Sequence, residues 1–329
     1  MPIITVNQLS KHFRTYQKEE GLKGSLKNLF FRKYIDNKAV DQISFELAEG
    51  EFVGFLGPNG AGKTTTLKML TGLIYPTSGQ ARVMGYLPWE RKNEFRRQYS
   101  LIMGQKNQLW MDLPALESFQ LNREIYQIPE RQFRNTLEEL TELLDIQKVL
   151  QVQVRRLSLG ERMKMELIAA LLHSPRVLFL DEPTIGLDII SQRKIRDFLL
   201  QYNKKFGTTI LLTSHYMEDI EALCKRVIII NHGHKVYDGQ LSQIVRECSN
   251  LKELAVTFAA PVNEAEIRSI APFQEFDPYK VVFRIKRDQL TAVIQGLLHR
   301  FQVADINTAE ADIGEVIAQI FDRTGEAAP

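Results

Sequence analysis

The stretch Gly57-Pro58-Asn59-Gly60-Ala61-Gly62-Lys63-Thr64 constrains this chain more than any other segment. It matches the pattern G-x-x-x-x-G-K-[ST] at every fixed position. Glu51 to Leu56 precedes it as an apolar run that reads as a buried strand. Thr65 to Leu73 follows, with Leu67, Leu70 and Leu73 at helical spacing. Strand, glycine loop and helix in that order turn successive backbone N–H groups toward one point, with the positive end of the helix behind them. Such a nest fits phosphate oxygens. Lys63 is placed to reach the β- and γ-phosphates of a nucleoside triphosphate, and the Thr64 hydroxyl to ligate Mg²⁺.

Composition narrows the setting. With 44% hydrophobic and 25% charged residues, the 329-residue chain has the make-up of a soluble globular protein with room for two domains. A formal net charge of +2 gives no reason to expect nucleic acid as a partner. Two cysteines, Cys224 and Cys248, cannot build a disulfide framework and fit a reducing compartment. Met1-Pro2-Ile3-Ile4-Thr5-Val6 lacks the basic and apolar regions of a signal peptide. No apolar run approaches the ~18 residues that cross a bilayer. Leu167 to Leu180 is interrupted by His173, Ser174, Pro175 and Arg176. Any membrane process must therefore use another chain for the crossing.

Periodicity divides the chain near residue 240. Before it, strands are expected at Ile3–Val6, Ala39–Leu47, Glu51–Leu56, Gln80–Met84, Tyr99–Met103, Val177–Leu180, Thr208–Thr213 and Val227–Ile230. Helices are expected at Glu161–His173, Ser191–Phe206 and Met217–Cys224. This alternation predicts an α/β sheet with its phosphate site at the strand ends. Residues from about 106 to 165 include a Leu-, Glu- and Gln-rich stretch split by Pro129, which reads as a helical insertion. Residues 241–329 read as a small accessory α+β domain with elements in the order strand, helix, strand, helix, helix. Asn231-His232-Gly233-His234 reads as a hairpin turn.

Two further segments carry chemistry. Val177-Leu178-Phe179-Leu180-Asp181-Glu182 is an apolar strand ending in two acids. Asp181 falls where a carboxylate reaches Mg²⁺, and Glu182 where one polarises an attacking water. Leu157-Ser158-Leu159-Gly160-Glu161-Arg162 opens a helix with a capping-box pattern, Ser158 followed by Glu161.

Together these segments resemble the ATP-binding cassette family, whose transporters carry Leu-Ser-Gly-Gly-Gln at this signature position. Leu159 and Glu161 depart from it; Ser158 and Gly160 match. Gln105 resembles the Q-loop glutamine, Ile185-Gly186-Leu187-Asp188 the D-loop, and His215 the switch histidine. Phe13 fits the aromatic that stacks on adenine, with Tyr16 as alternative and core packing as an equal reading. The resemblance covers about residues 3–240. It implies a phosphate-loop NTPase cassette with a RecA-like core, an antiparallel β subdomain and a helical subdomain.

The resemblance also implies how the site works. MgATP lies between two copies paired head to tail, bound by Gly57–Thr65 of one and approached by Ser158 and Gly160 of the other. Glu182 is the implied base, His215 holds the γ-phosphate and water in line, and Gln105 touches Mg²⁺. Thr64-Thr65-Thr66-Leu67 and Pro76-Thr77-Ser78-Gly79 look like ABC-2-type export ATPases, as does the Ala311–Arg323 helix. This implies separately encoded membrane permeases and a place on the cytoplasmic face of the membrane. The rival readings are a soluble cassette ATPase acting on ribosome or DNA, and a nucleotide-regulated binding module. Residues 17–38, rich in Lys and Arg with Leu22, Leu26 and Phe30 at helical spacing, read either as a surface for anionic lipid or as a solvated loop. Trp110, Leu113 and Leu116 fall where the family receives a helix from the membrane subunit; core packing is the alternative.

Overall fold

A computed structural model describes residues 2–16, 34–104, 106–249, 251–310 and 317. It divides into two units, Met1–Gly239 and Gln240–Pro329.

The first unit is organised by a six-stranded sheet. Its strands are β3 (Phe52–Leu56), β5 (Tyr99–Met103), β6 (Val177–Asp181), β7 (Thr209–Thr213), β8 (Arg226–Asn231) and β9 (His234–Gln240), in the order β5-β6-β7-β3-β8-β9. The pairings β5–β6, β6–β7, β7–β3 and β3–β8 are parallel. Every residue of β3, β6 and β7 is buried, which is why these segments read as unbroken apolar runs: helices cover both faces of a parallel sheet. Register brings Met103, Asp181 and Thr213 level at the carboxyl edge. β9 turns back from β8 through His232-Gly233, both in left-handed backbone with φ of 45 and 81°.

A second, three-stranded sheet has the order β2-β1-β4, from β1 (Pro2–Tyr16), β2 (Tyr34–Ala48) and β4 (Ser78–Val83). Its inner residues Ile4, Leu9, Ile43, Leu47 and Val83 join Val53, Phe55 and Leu67 in one core. The strand pair is far longer than expected. The ladder runs out to Tyr16 opposite Tyr34, so residues 34–38 belong to a strand rather than to an insertion. Polar residues on both faces, such as Arg14 opposite Asp36 with both about 70% exposed, hide the two-residue period. The basic segment 17–33 lies outside the described residues.

Helix α1 (Lys63–Leu70) leaves the loop after β3. The helical region comprises α2 (Ala115–Tyr126), α3 (Glu130–Leu143) and the start of α4 (Leu159–Leu171), with Pro129 at the N-cap of α3. Helices α5 (Ile189–Phe206) and α6 (Met217–Leu223) complete this unit. His173, just past α4, stacks on Tyr126 with ring centroids 3.9 Å apart, and its Nε2 lies 3.2 Å from the Tyr99 carbonyl oxygen. The carbonyl can only accept, so Nε2 carries the proton, and Nδ1 has no partner among the described residues. Burial holds this imidazole down to about 4. A base depressed in the fold is neutral there and takes up its proton more readily when unfolded. The fold is therefore expected to lose up to about 3 kcal/mol as pH falls from about 6.5 to about 4. Urea unfolding across that range should show the loss, and His173→Gln should flatten it.

The second unit starts with α7 (Leu241–Ser249). It continues β10 (Leu251–Phe258), α8 (Glu264–Arg268), β11 (Glu275–Asp277), β12 (Lys280–Lys286), α9 (Leu290–Arg300) and β13 (Val303–Glu310). All its pairings are antiparallel, in the order β11-β12-β10-β13. That is the split βαβ arrangement. Leu254, Val256, Phe258, Val281, Phe283 and Ile285 form its core with Ile267, Val293 and Leu297 from the helices. The sequence missed β11 and β13. The first is three residues long, and the second shows only Val303 and Ile306 as larger apolar side chains. Apart from Ile317, the expected 311–323 helix lies outside the described residues.

Candidate active site

The loop 57–62 joins β3 to α1 at the carboxyl edge of the six-stranded sheet. Gly62 is the N-cap of α1 with φ 105°, a left-handed conformation that favours glycine, and a Cβ there would overlap the Ala39 carbonyl oxygen. Among the described residues no side chain caps this helix, so its first N–H groups are left to an anion in the nest. Lys63 Nζ donates to the carbonyls of Gly57 (2.6 Å) and Pro58 (3.2 Å), which folds the ammonium over the loop. Burial pulls the Lys63 pKa down, while Glu182 and Asp181 oppose that shift.

Two clefts meet at Glu182. One of about 320 Å³ is lined by Phe13, Asn37, Ala39, Pro58–Thr65 and Glu182. The other, about 210 Å³, is lined by Thr64, Lys68, Met103, Gly104, Lys106, Asp181 and Glu182. Thr64 Oγ1 donates to Asp181 Oδ2 at 2.7 Å, and Thr213 Oγ1 donates to Asp181 Oδ1 at 2.7 Å. A hydroxyl and a carboxylate side by side form a hard-oxygen donor set that fits Mg²⁺. Gln105, expected to complete this set, lies outside the described residues. Among the described His, Cys, Asp and Glu residues, no group of three or more could hold a metal ion.

Glu182 and His215 come together from the ends of β6 and β7. His215 Nε2 lies 2.6 Å from Glu182 Oε1, an N–H to carboxylate contact. Glu182 has φ 56°, an unusual value for a residue with a side chain. Its amide donates to the Thr213 carbonyl at 3.0 Å and Thr213 Oγ1 at 3.2 Å. Thr213 thus touches both acids. Sequence reasoning passed over it, although its place two residues before His215 was a signal.

Phe13 lines the larger cleft, 38% exposed, with Lys11 Nζ 5.3 Å from its ring centre. Core packing is therefore not its role. The side chain of Tyr16 lies outside the described residues. Asn37, directly across the ladder from Phe13, lines the same end of the cleft and was also missed.

The remaining expected residues sit elsewhere. Ser158 caps α4: its hydroxyl accepts from the Glu161 amide at 3.2 Å, and Glu161 Oε2 accepts from the Ser158 amide at 2.9 Å. The capping box is therefore real. Gly160 is buried against α5, and a Cβ there would overlap Ser191 Oγ. Leu159 stands 40% exposed, so a large side chain at this position is accommodated without displacing the helix. Asp188 caps α5 through the Ser191 amide (2.9 Å) and hydroxyl (2.7 Å), and these bonds lower its pKa. The next residues, Ile189 and Ile190, are 78% and 71% exposed. No residue of 158–161 or 188–190 lines either cleft. Trp110 is 57% exposed, while Leu113 and Leu116 are partly buried. Among the described residues no helix is long and apolar enough to cross a membrane.

The family profile described as ABC transporter matches residues 40–185, and one described as EvrA-like ABC transporter, C-terminal domain, matches residues 250–308. ABC transporter ATP-binding protein NatA of Bacillus subtilis is 35% identical over 207 residues, 63% of this chain and 84% of NatA. Nod factor export ATP-binding protein I of Paraburkholderia xenovorans is 36% identical over 65% of this chain and 70% of its own length. A solved ATP-binding subunit of an ABC transporter superposes with a TM-score of 0.61 at 25% identity, covering 74% of this chain and 92% of that one. The chain belongs to the ATP-binding proteins of ABC transporters and is an ATPase that serves a transporter.

Proposed function

We propose that this chain hydrolyses MgATP between two of its own copies to power export through separately encoded membrane chains, at the cytoplasmic face of the membrane. One observation carries the two-copy reading. Both clefts are lined by Thr64 and Glu182, with Pro58–Lys63 in one and Asp181 in the other, yet neither is lined by any residue of the 158–161 helix start, whose Ser158 and Leu159 are exposed. A second copy turned end to end supplies that helix start to the γ-phosphate. Export follows the relative named for Nod factor export.

The chain's residues take these roles. Phe13 stacks on the base. The amides of Gly60, Gly62, Lys63, Thr64 and Thr65 grip the phosphates, and Lys63 exchanges its loop carbonyls for phosphate oxygens. Glu182 accepts the proton of the attacking water, which His215 holds in line. Thr64 and Asp181, with Gln105, hold Mg²⁺, which when bound offsets phosphate charge. Ser158 Oγ is 2.9 Å from Glu161 Oε2, so its hydroxyl leaves that carboxylate to serve the partner's nucleotide. Catalysis here is positioning and charge stabilisation on a preformed edge.

The test uses tagged full-length chain in its native host. Solubilised membranes are expected to yield it in fixed ratio with polytopic membrane chains, with turnover that EDTA abolishes. Recovery with ribosomes and no membrane chain contradicts the export reading. EDTA-resistant turnover contradicts the metal assignment.

A further inference from the structure

The Asp219 carboxylate is fully buried, 0% exposed, in the first turn of α6. An acid in a first helical turn ordinarily faces water and steadies the helix end. This one turns inward. Its Oδ2 accepts from the Thr184 hydroxyl and from the Ser214 hydroxyl at 2.8 Å. Arg196 of α5, itself 9% exposed, sets its Nε 3.6 Å from Oδ1 and gives Nη1 to Glu218 at 3.2 Å. Three separate segments therefore converge on one carboxylate.

Two of those segments carry the reacting groups. Thr184 lies two residues after Glu182, and Ser214 immediately precedes His215. Glu182 holds a left-handed backbone that its surroundings must impose, because a residue with a Cβ does not settle there alone. The turn after it is pinned at Thr184: the hydroxyl is tied to Asp219, and the carbonyl accepts from Gln192 Nε2 at 3.4 Å. The Ser214 hydroxyl also accepts from the Tyr216 amide at 3.0 Å, so the backbone on both sides of His215 is tied to the same anchor. Between these two turns His215 Nε2 lies 2.6 Å from Glu182 Oε1.

We propose that Asp219 is a positioning residue for hydrolysis: it clamps the Glu182 turn to the His215 turn without touching nucleotide. It lines neither cleft. The inference rests on the reading of Glu182 and His215 as the hydrolytic pair. Loss of the clamp should therefore slow the chemical step and leave the phosphate loop's grip intact.

Full-length chain carrying Asp219→Asn keeps the shape, gives up the charge and turns an amide toward Arg196. Its kcat is expected to fall at least about tenfold while KM for ATP stays within about threefold of wild type. Thr184→Val and Ser214→Ala should each lower kcat less. Added to Asp219→Asn, each should cost little more, because one clamp has already been lost. Wild-type kcat in folded Asp219→Asn overturns the proposal, as does a rise in KM that accounts for the whole loss. If Asp219→Asn does not fold, the Thr184→Val/Ser214→Ala double variant decides. A lowered kcat at unchanged KM supports the clamp, and unchanged kcat removes it. Full turnover by Glu182→Gln would refute the underlying site reading separately.

Discussion

Glutamine in place of Glu182 is expected to lower ATP turnover by roughly 10²- to 10⁴-fold, the range a positioned general base contributes. Each tenfold corresponds to about 1.36 kcal/mol of barrier. The amide has the size of the carboxylate and can still meet His215 Nε2, now 2.6 Å from Glu182 Oε1. What it loses is the basic lone pair that takes the water's proton. ATP binding should persist, because the contacts of Lys63 with the loop carbonyls and of Thr64 with Asp181 are not made to Glu182. Single-turnover hydrolysis and equilibrium binding of ATP, measured on the same preparation, separate the two. A variant that still turns over at the wild-type rate removes Glu182 from the chemistry.

The second large effect falls on affinity. Lys63→Met is expected to weaken ATP binding roughly 30- to 5,000-fold, equivalent to the ~2–5 kcal/mol of losing one side of a buried hydrogen-bonded charge pair. Methionine keeps the unbranched stem, so the packing of α1 over β3 survives. The ammonium now bridging the Gly57 and Pro58 carbonyls disappears, and those oxygens return to water when no phosphate is present. Thermal unfolding without nucleotide should therefore change little, while the stabilisation that ATP adds should vanish. Unaltered ATP affinity would show that Lys63 serves the loop's shape alone.

How much of this was legible depends on how local each feature is. The phosphate loop announced itself because every group it needs lies within eight consecutive residues. β3, β6 and β7 were visible because burial on both faces leaves only apolar residues in them. The inner parts of β1 and β2 were visible too, but their outer ladder up to Tyr16 opposite Tyr34 was not, since a ladder with charged residues on both faces has no period to detect. β13 runs along a sheet edge and lacked a period for a related reason. The Ser158 cap could be read from two residues, whereas its proposed use on another copy's nucleotide came from the family resemblance and not from the spacing. Asp219 was invisible for the opposite reason. Its meaning lies in Thr184, Ser214 and Arg196, residues 5 to 35 positions away that only the fold gathers around it.

On the two-copy reading a single chain holds half of a working site and an inverted twin supplies the other half. The molar mass of Glu182→Gln in solution, with and without MgATP, tests it most directly. One chain's mass is expected without nucleotide and twice that mass with MgATP. Replacing Ser158 with a bulky residue is expected to return the particle to one chain. A species that stays single in saturating MgATP, alongside a wild-type chain that hydrolyses at full rate as a monomer, would contradict it.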